Sequence, residues 1–114
     1  MTTKLHLRIY DIKGKKTKNN KKITVTENRM LDSMVLSSVT LRPEQKTKKE
    51  FTTSEEKIIF FLSGNATVYM NDEIFTVQAN DVLLLPLGTE YMIENYSSID
   101  LVYTIVSSIT TYNN

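Results

Sequence analysis

Residues 80–95 read Asn-Asp-Val-Leu-Leu-Leu-Pro-Leu-Gly-Thr-Glu-Tyr-Met-Ile-Glu-Asn. Val82, Leu83, Leu84 and Leu85 form an apolar run that Pro86 and Gly88 stop, and residues 91–94 begin another, so the stretch predicts two short strands across a tight turn. Working outward, Ile58-Ile-Phe-Phe-Leu62 ends at Ser63-Gly64-Asn65, and residues 66–70 meet the hairpin pair Asn71-Asp72. Residues 74–77 meet Ala79-Asn-Asp81, and residues 101–109 close the series. Short strands at roughly eight-to-twelve-residue spacing, with turn signals between them, indicate an all-β sandwich or closed barrel. Upstream, residues 33–41 form a strand closed by Arg42-Pro43, and residues 23–26 suit a short returning strand. Residues 4–12 alternate, with Leu5, Leu7 and Ile9 on one face and His6, Arg8 and Tyr10 on the other, which predicts an N-terminal strand. Residues 13–22 are basic and turn-rich and predict a flexible exposed loop; residues 44–54 read as a loop or frayed edge. Only residues 27–33 leave room for a short helix.

A chain of 114 residues makes one domain and buries roughly two-thirds of its unfolded surface. With no cysteine it has neither a disulfide framework nor a thiolate metal site. The longest unbroken apolar run, residues 58–62, is far short of the roughly 18 residues that cross a bilayer, and the N-terminus is polar and basic, so a soluble intracellular protein without membrane contact is expected. Net charge is only +1 but is unevenly spread: residues 1–50 carry 13 Lys and Arg against five acidic residues, and residues 51–114 carry Lys57 alone against eight. Such a split suits mutual attraction of the two halves, or a basic surface for an acidic partner.

Residues 58–62, 82–85 and 101–106 are apolar at consecutive positions apart from Thr104. An antiparallel strand with one wet face alternates, so a continuous apolar run says that both faces are covered. The barrel interior supplies one cover. A chain this short has little left for the other, and a second copy is expected to supply it, with Ile58, Phe60, Leu62, Tyr103 and Ile105 at the interface and Leu5, Leu7 and Ile9 from an exchanged N-terminal strand. The alternative is that the N-terminal strand folds over the outer face of its own chain.

The stretch 80–95 resembles the second signature of the cupin barrel, with Tyr91 where a metal-holding cupin carries histidine. Residues 36–107 resemble one metal-free branch, the C-terminal dimerisation domain of centromere protein C. The likeness lies in Leu36-Ser-Ser-Val-Thr-Leu-Arg-Pro43, in the basic residues 46–49 before Phe51, in Ile59-Phe-Phe-Leu-Ser-Gly64 with Ala66-Thr-Val-Tyr-Met70, and above all in Pro86, Gly88, Tyr91, Ile93 and Asn95. The chain departs from it at Asn80 and Val39, where that family usually has glycine. The resemblance implies a double-sheet jelly-roll, antiparallel, and a structural homodimer in the nucleus at centromeres, serving chromosome segregation. Its partners would be itself and other kinetochore or chromatin proteins, with no enzymatic activity and no cofactor.

A cupin metal site takes His-x-His before a strand, an acidic residue shortly after, and a last histidine beyond the Pro-x-Gly turn. With the register fixed by Gly64, Phe51 and Thr53 fall at the paired histidines, Lys57 at the acid and Tyr91 at the last histidine, all facing the barrel interior. No neutral-imidazole and carboxylate set can be assembled from these, and the one histidine, His6, is remote in sequence. Two other readings stay open. A metal-free cupin could bind or isomerise a small molecule such as a sugar nucleotide, with Tyr91, Glu90 or Glu94 reaching a pocket; against it, Ile59, Phe61, Leu83, Leu85 and Ile93 are expected to choke the barrel. Lys13, Lys15, Lys16, Lys18, Lys21 and Lys22, with residues 46–49, could make at most a non-specific, salt-sensitive nucleic-acid contact.

Overall fold

The computed structural model describes Arg8, residues 14–29 and residues 31–108. Ten strands follow in order: β1 (Lys15–Asn19), β2 (Ile23–Asn28), β3 (Met34–Leu41), β4 (Glu50–Phe51), β5 (Lys57–Ser63), β6 (Asn65–Met70), β7 (Glu73–Gln78), β8 (Val82–Leu85), β9 (Glu90–Glu94) and β10 (Leu101–Ser108). They pair antiparallel throughout, in a six-stranded sheet of order β1-β2-β3-β10-β5-β8 and a four-stranded sheet of order β4-β9-β6-β7. Turn chemistry sets the strand ends. Asn71 and Asn80 sit at φ 53° and 77°, in the left-handed region that asparagine tolerates better than most residues. Gly64, at φ 92°, is more tightly bound to its identity, since a Cβ there would come within 2.8 Å of the Asp100 carbonyl oxygen.

The inner faces of the two sheets meet in a core that includes Val39, Leu41, Ile59, Phe61, Val68 and Ile93, with Phe61 and Tyr103 in tilted ring contact at 5.5 Å between centroids. Asn95 closes this end of the barrel. It is fully buried, its Nδ2 donates to the carbonyls of Leu41 (3.0 Å) and Ile99 (2.8 Å), and its Oδ1 accepts from Ser97 N and Ser97 Oγ. A buried amide with both donors and its acceptor engaged stabilises the end it closes and tolerates no apolar replacement.

Several sequence-based expectations change here. Residues 15–19 are a paired strand rather than a loop: Asn20 Oδ1 accepts from the backbone of Lys22 and Ile23 and turns the chain, and the ladder to β2 runs past a bulge between Lys16 and Lys18. β1 is the edge of the large sheet, where lysines discourage pairing with another chain, which gives the basic run a physical reason of its own. Residues 27–33 form no helix; β2 runs on to Asn28, and no helix occurs among the described residues. Tyr103 and Ile105 do not face outward. They pair with Phe61 and Ile59, themselves fully buried, so both point into the barrel. The outer face is carried instead by Ile58, Phe60, Val82 and Leu84, at 48, 38, 52 and 63% exposure, with Leu62 half-buried. Leu5, Leu7, Ile9, His6 and Lys13 lie outside the described residues.

Candidate functional site

The inner face of the barrel changes character along its length. Leu41, Leu101, Phe61 and Ile93 fill one end. Toward the other, the same strands place Ser37, Ser107, Ile105, Tyr103, Lys57 and Tyr91 around an open cleft of about 560 Å³. Ile59, Phe61, Leu83, Leu85 and Ile93 are buried and inward-facing, yet they choke only half of the barrel. The reason is positional: beyond them the inner positions fall on hydroxyls and a lysine, which do not fill space as leucine does.

The short strand β4 stands one residue away from the expected register. Glu50 pairs with Tyr91 and Phe51 with Glu90, so Glu50 and Thr52 face inward while Phe51, 57% exposed, and Thr53 face solvent. Thr52 is held in place by the Pro-x-Gly turn. Its Oγ1 donates to the Pro86 carbonyl (2.6 Å) and accepts from Thr89 N (2.9 Å), Thr89 Oγ1 donates to the same carbonyl (2.7 Å), and Gly88 N donates to the Thr52 carbonyl (2.7 Å). Both threonines are buried. The turn therefore anchors the edge strand that would otherwise fray.

Tyr91 lies at the boundary between core and cleft, and its hydroxyl donates to Glu50 Oε2 at 3.3 Å. Burial pushes the phenol well above its ordinary value, and the negative charge of Glu50 adds to the shift. Tyr103 is raised further, chiefly by burial. Both phenols are neutral donors at working pH. Lys57 is half-buried and lines the cleft. Glu90 and Glu94 turn away from it: Glu90 bridges Lys49 at 3.7 Å, and Glu94 accepts from the Tyr69 hydroxyl at 2.7 Å on the outer face of the small sheet. That bond to Glu94 is the main reason the Tyr69 phenol is raised. Glu50 and Thr52 went unread in the sequence, because their register is set by the bonds of Thr52 to the Pro-x-Gly turn and not by any local pattern.

The sequence matches no family model and no curated protein. Solved structures are informative about shape. The cupin domain of Cnp3 from Schizosaccharomyces pombe superposes with a TM-score of 0.74 over 82% of this chain and 70% of that one, at 14% identity. The fold is that of a cupin. A predicted oxalate decarboxylase from Thermotoga maritima gives a TM-score of 0.74 over 93% of this chain and 100% of its own, at 19% identity. A sugar phosphate isomerase of the cupin superfamily from Silicibacter pomeroyi gives 0.71 over 77% and 60%, at 13% identity. The likeness thus spans a centromere protein's domain and metabolic proteins, and it fixes the architecture without the activity.

Against a cupin metal site the residues do not fit. The described residues around the cleft offer three carboxylates, Glu27 bridged to Arg29, Glu50 accepting from Tyr91, and Glu55, with no histidine or cysteine; Thr52 is committed to the turn, and the ammonium of Lys57 repels a cation. Among the described residues no group of three or more His, Cys, Asp or Glu comes together.

Proposed function

We propose that this cupin is a homodimerisation module of a centromere or kinetochore protein, structural rather than catalytic, that joins its copy through the outer face of the six-stranded sheet. The observation that carries the reading is the row of exposed apolar side chains Ile58, Phe60, Val82 and Leu84 on the adjacent strands β5 and β8. Aliphatic and aromatic groups side by side on a flat sheet face are costly to leave in water, and a two-fold partner covers them with the same surface. The centromeric role is supported by the resemblance of residues 36–107 and by the shared architecture with Cnp3, a centromere protein C homologue. The non-catalytic part is supported by the state of the cleft's carboxylates. Glu27 bridges Arg29 at 3.1 Å and Glu50 accepts from Tyr91, so of the three carboxylates that line the cleft Glu55 alone is without such a partner among the described residues.

Sedimentation velocity at micromolar concentration tests it. The wild type should run as a dimer, and Phe60→Glu, which sets a charge against its own copy across the axis, should run as a monomer with an unchanged strand spectrum. Tyr103→Glu should unfold the chain instead, because that side chain points into the core. A wild type that is monomeric under these conditions sinks the reading.

A further inference from the structure

The two sheets end in the strands β1, β8, β4 and β7, and the first three ends are guarded or claimed. β1 carries Lys15, Lys16 and Lys18 and a bulge, both of which discourage another chain from pairing. β4 is two residues long, and β8 borders the apolar face of the proposed dimer. β7, at the end of the four-stranded sheet, has none of these guards. Its residues, Glu-Ile-Phe-Thr-Val-Gln, include no lysine, arginine or proline, and its ladder to β6 runs without a register shift. No described strand lies on its other side.

The register says which groups are left over. Asn71 and Asp72 make a two-residue turn, so Met70 and Glu73 exchange both main-chain bonds, and along an antiparallel ladder such pairs alternate with unbonded ones. Ile74 and Thr76 are therefore the unbonded positions, and their N–H and C=O groups point to the open side. Neither enters a turn or loop bond among the described residues. Beyond them a turn shuts the edge: Gln78 N donates to Asp81 Oδ2 (2.9 Å), and the Gln78 carbonyl accepts from Asp81 N (3.0 Å).

Side chains and charge define what fits. Ile74 is 69% exposed and stands in a row with Tyr69 and Met92 across the outer face of the small sheet. Asp72 and Glu73 lie at one end of the open stretch and Asp81 at the other, and residues 58–114 contain no lysine, arginine or histidine to offset them. A second copy set antiparallel along this edge would bring Asp72 and Glu73 of each chain toward Asp81 of the other, and like charges oppose that pairing. A segment that brings its own cations meets attraction at both ends instead.

We propose that the β7 edge docks an extended segment of another protein, basic at its ends and β-branched or aliphatic at its centre, which joins the small sheet as an added strand through the main chain of Ile74 and Thr76. β7 belongs to the sheet that takes no part in the proposed dimer face, so docking neither needs nor excludes the dimer.

Fluorescence anisotropy on the full chain tests this, with a labelled synthetic peptide of alternating threonine and valine flanked by paired lysines. The peptide should bind saturably, one to one. Hydrogen exchange at the Ile74 and Thr76 amides, fast in the free protein, should slow at least about tenfold on binding. Thr76→Pro removes a donor that faces away from β6, at the kind of edge position that tolerates proline, and should weaken binding at least about tenfold with the strand spectrum unchanged. The same peptide N-methylated along its length should not bind the wild type, a comparison that leaves the protein untouched. Glu73→Lys should weaken binding several-fold, and Asp32→Lys, the same charge change between β2 and β3, should leave it nearly unchanged. The proposal is overturned by the absence of saturable binding tighter than about 1 mM, or by equal binding of the N-methylated peptide. Protection that falls on β1 or β8 instead would also overturn it. So would self-association beyond a dimer that Thr76→Pro abolishes, because a further copy then holds the edge.

Discussion

The two ends of this barrel are built from the same strands and differ in what their inner positions do. At the closed end Leu41, Leu101, Phe61 and Ile93 exclude water, and the fully buried Asn95 has both donors and its acceptor engaged. At the open end Ser37 and Ser107 line the cleft, and their hydroxyls bond to no other described residue. Burial alone does not tell stability from function. What separates the two ends is whether the inner positions exclude water or open onto a cleft.

The contrast is tested most severely by removing apolar volume at each end. Phe61→Ala should cost about 3–5 kcal/mol in denaturant unfolding, because the closed end cannot refill the cavity. Ile105→Ala, whose side chain borders the cleft, should cost clearly less, since the space it vacates joins one already open. Equal losses would mean that the cleft is as tightly packed as the core.

A smaller effect compares the polar groups. Asn95→Ala removes the amide donor to the carbonyls of Leu41 and Ile99 and the acceptor for Ser97, and should cost about 2–4 kcal/mol. Ser107→Ala removes a hydroxyl that bonds to nothing described and should change stability by less than about 0.5 kcal/mol. A large loss at Ser107 would show its hydroxyl to be structural.

The smallest effect at neutral pH comes from the tyrosines at the boundary. Tyr91 and Tyr103 are raised above the ordinary phenol value, mainly by burial. A raised folded value means that their contribution is fully present below about pH 10 and is lost as pH rises beyond it, when the unfolded chain ionises and the folded chain does not. Each such tyrosine should cost about 1.4 kcal/mol of stability per pH unit in that window. Tyr103→Phe should flatten the alkaline loss. If phenolate absorbance from all six tyrosines appears near pH 10 with the fold intact, the cleft floor is wet rather than dry.

Much of the architecture was legible from local chemistry. Strands β3 and β5 to β10 coincide closely with the apolar runs between Gly, Pro and Asn punctuation, because strand period and turn conformation are properties of a few neighbouring residues. The motif residues Pro86, Gly88 and Asn95 mark positions that the fold uses, a turn that accepts two threonine hydroxyls and an amide that closes the barrel. The strand β1 was not legible, since Lys-Lys-Thr-Lys-Asn has a loop's composition and owes its structure to the ladder with β2.

The sequence by itself determined an all-β chain of short antiparallel strands. Only the tertiary structure decided which faces matter. Residues 101–106 are apolar on both sides, so nothing local says whether Tyr103 or Thr104 points inward; pairing with Phe61 and Val39 does. Residues 50–53 have no apolar alternation to set their register, and the bonds of Thr52 to the turn after β8 place Glu50 inside and Phe51 outside. The meeting of Lys18 and Lys22 with Lys46 and Lys48 around one opening is likewise invisible along the chain. It arises because the β1–β2 hairpin at the edge of one sheet and the segment leading into β4 at the edge of the other line one cleft.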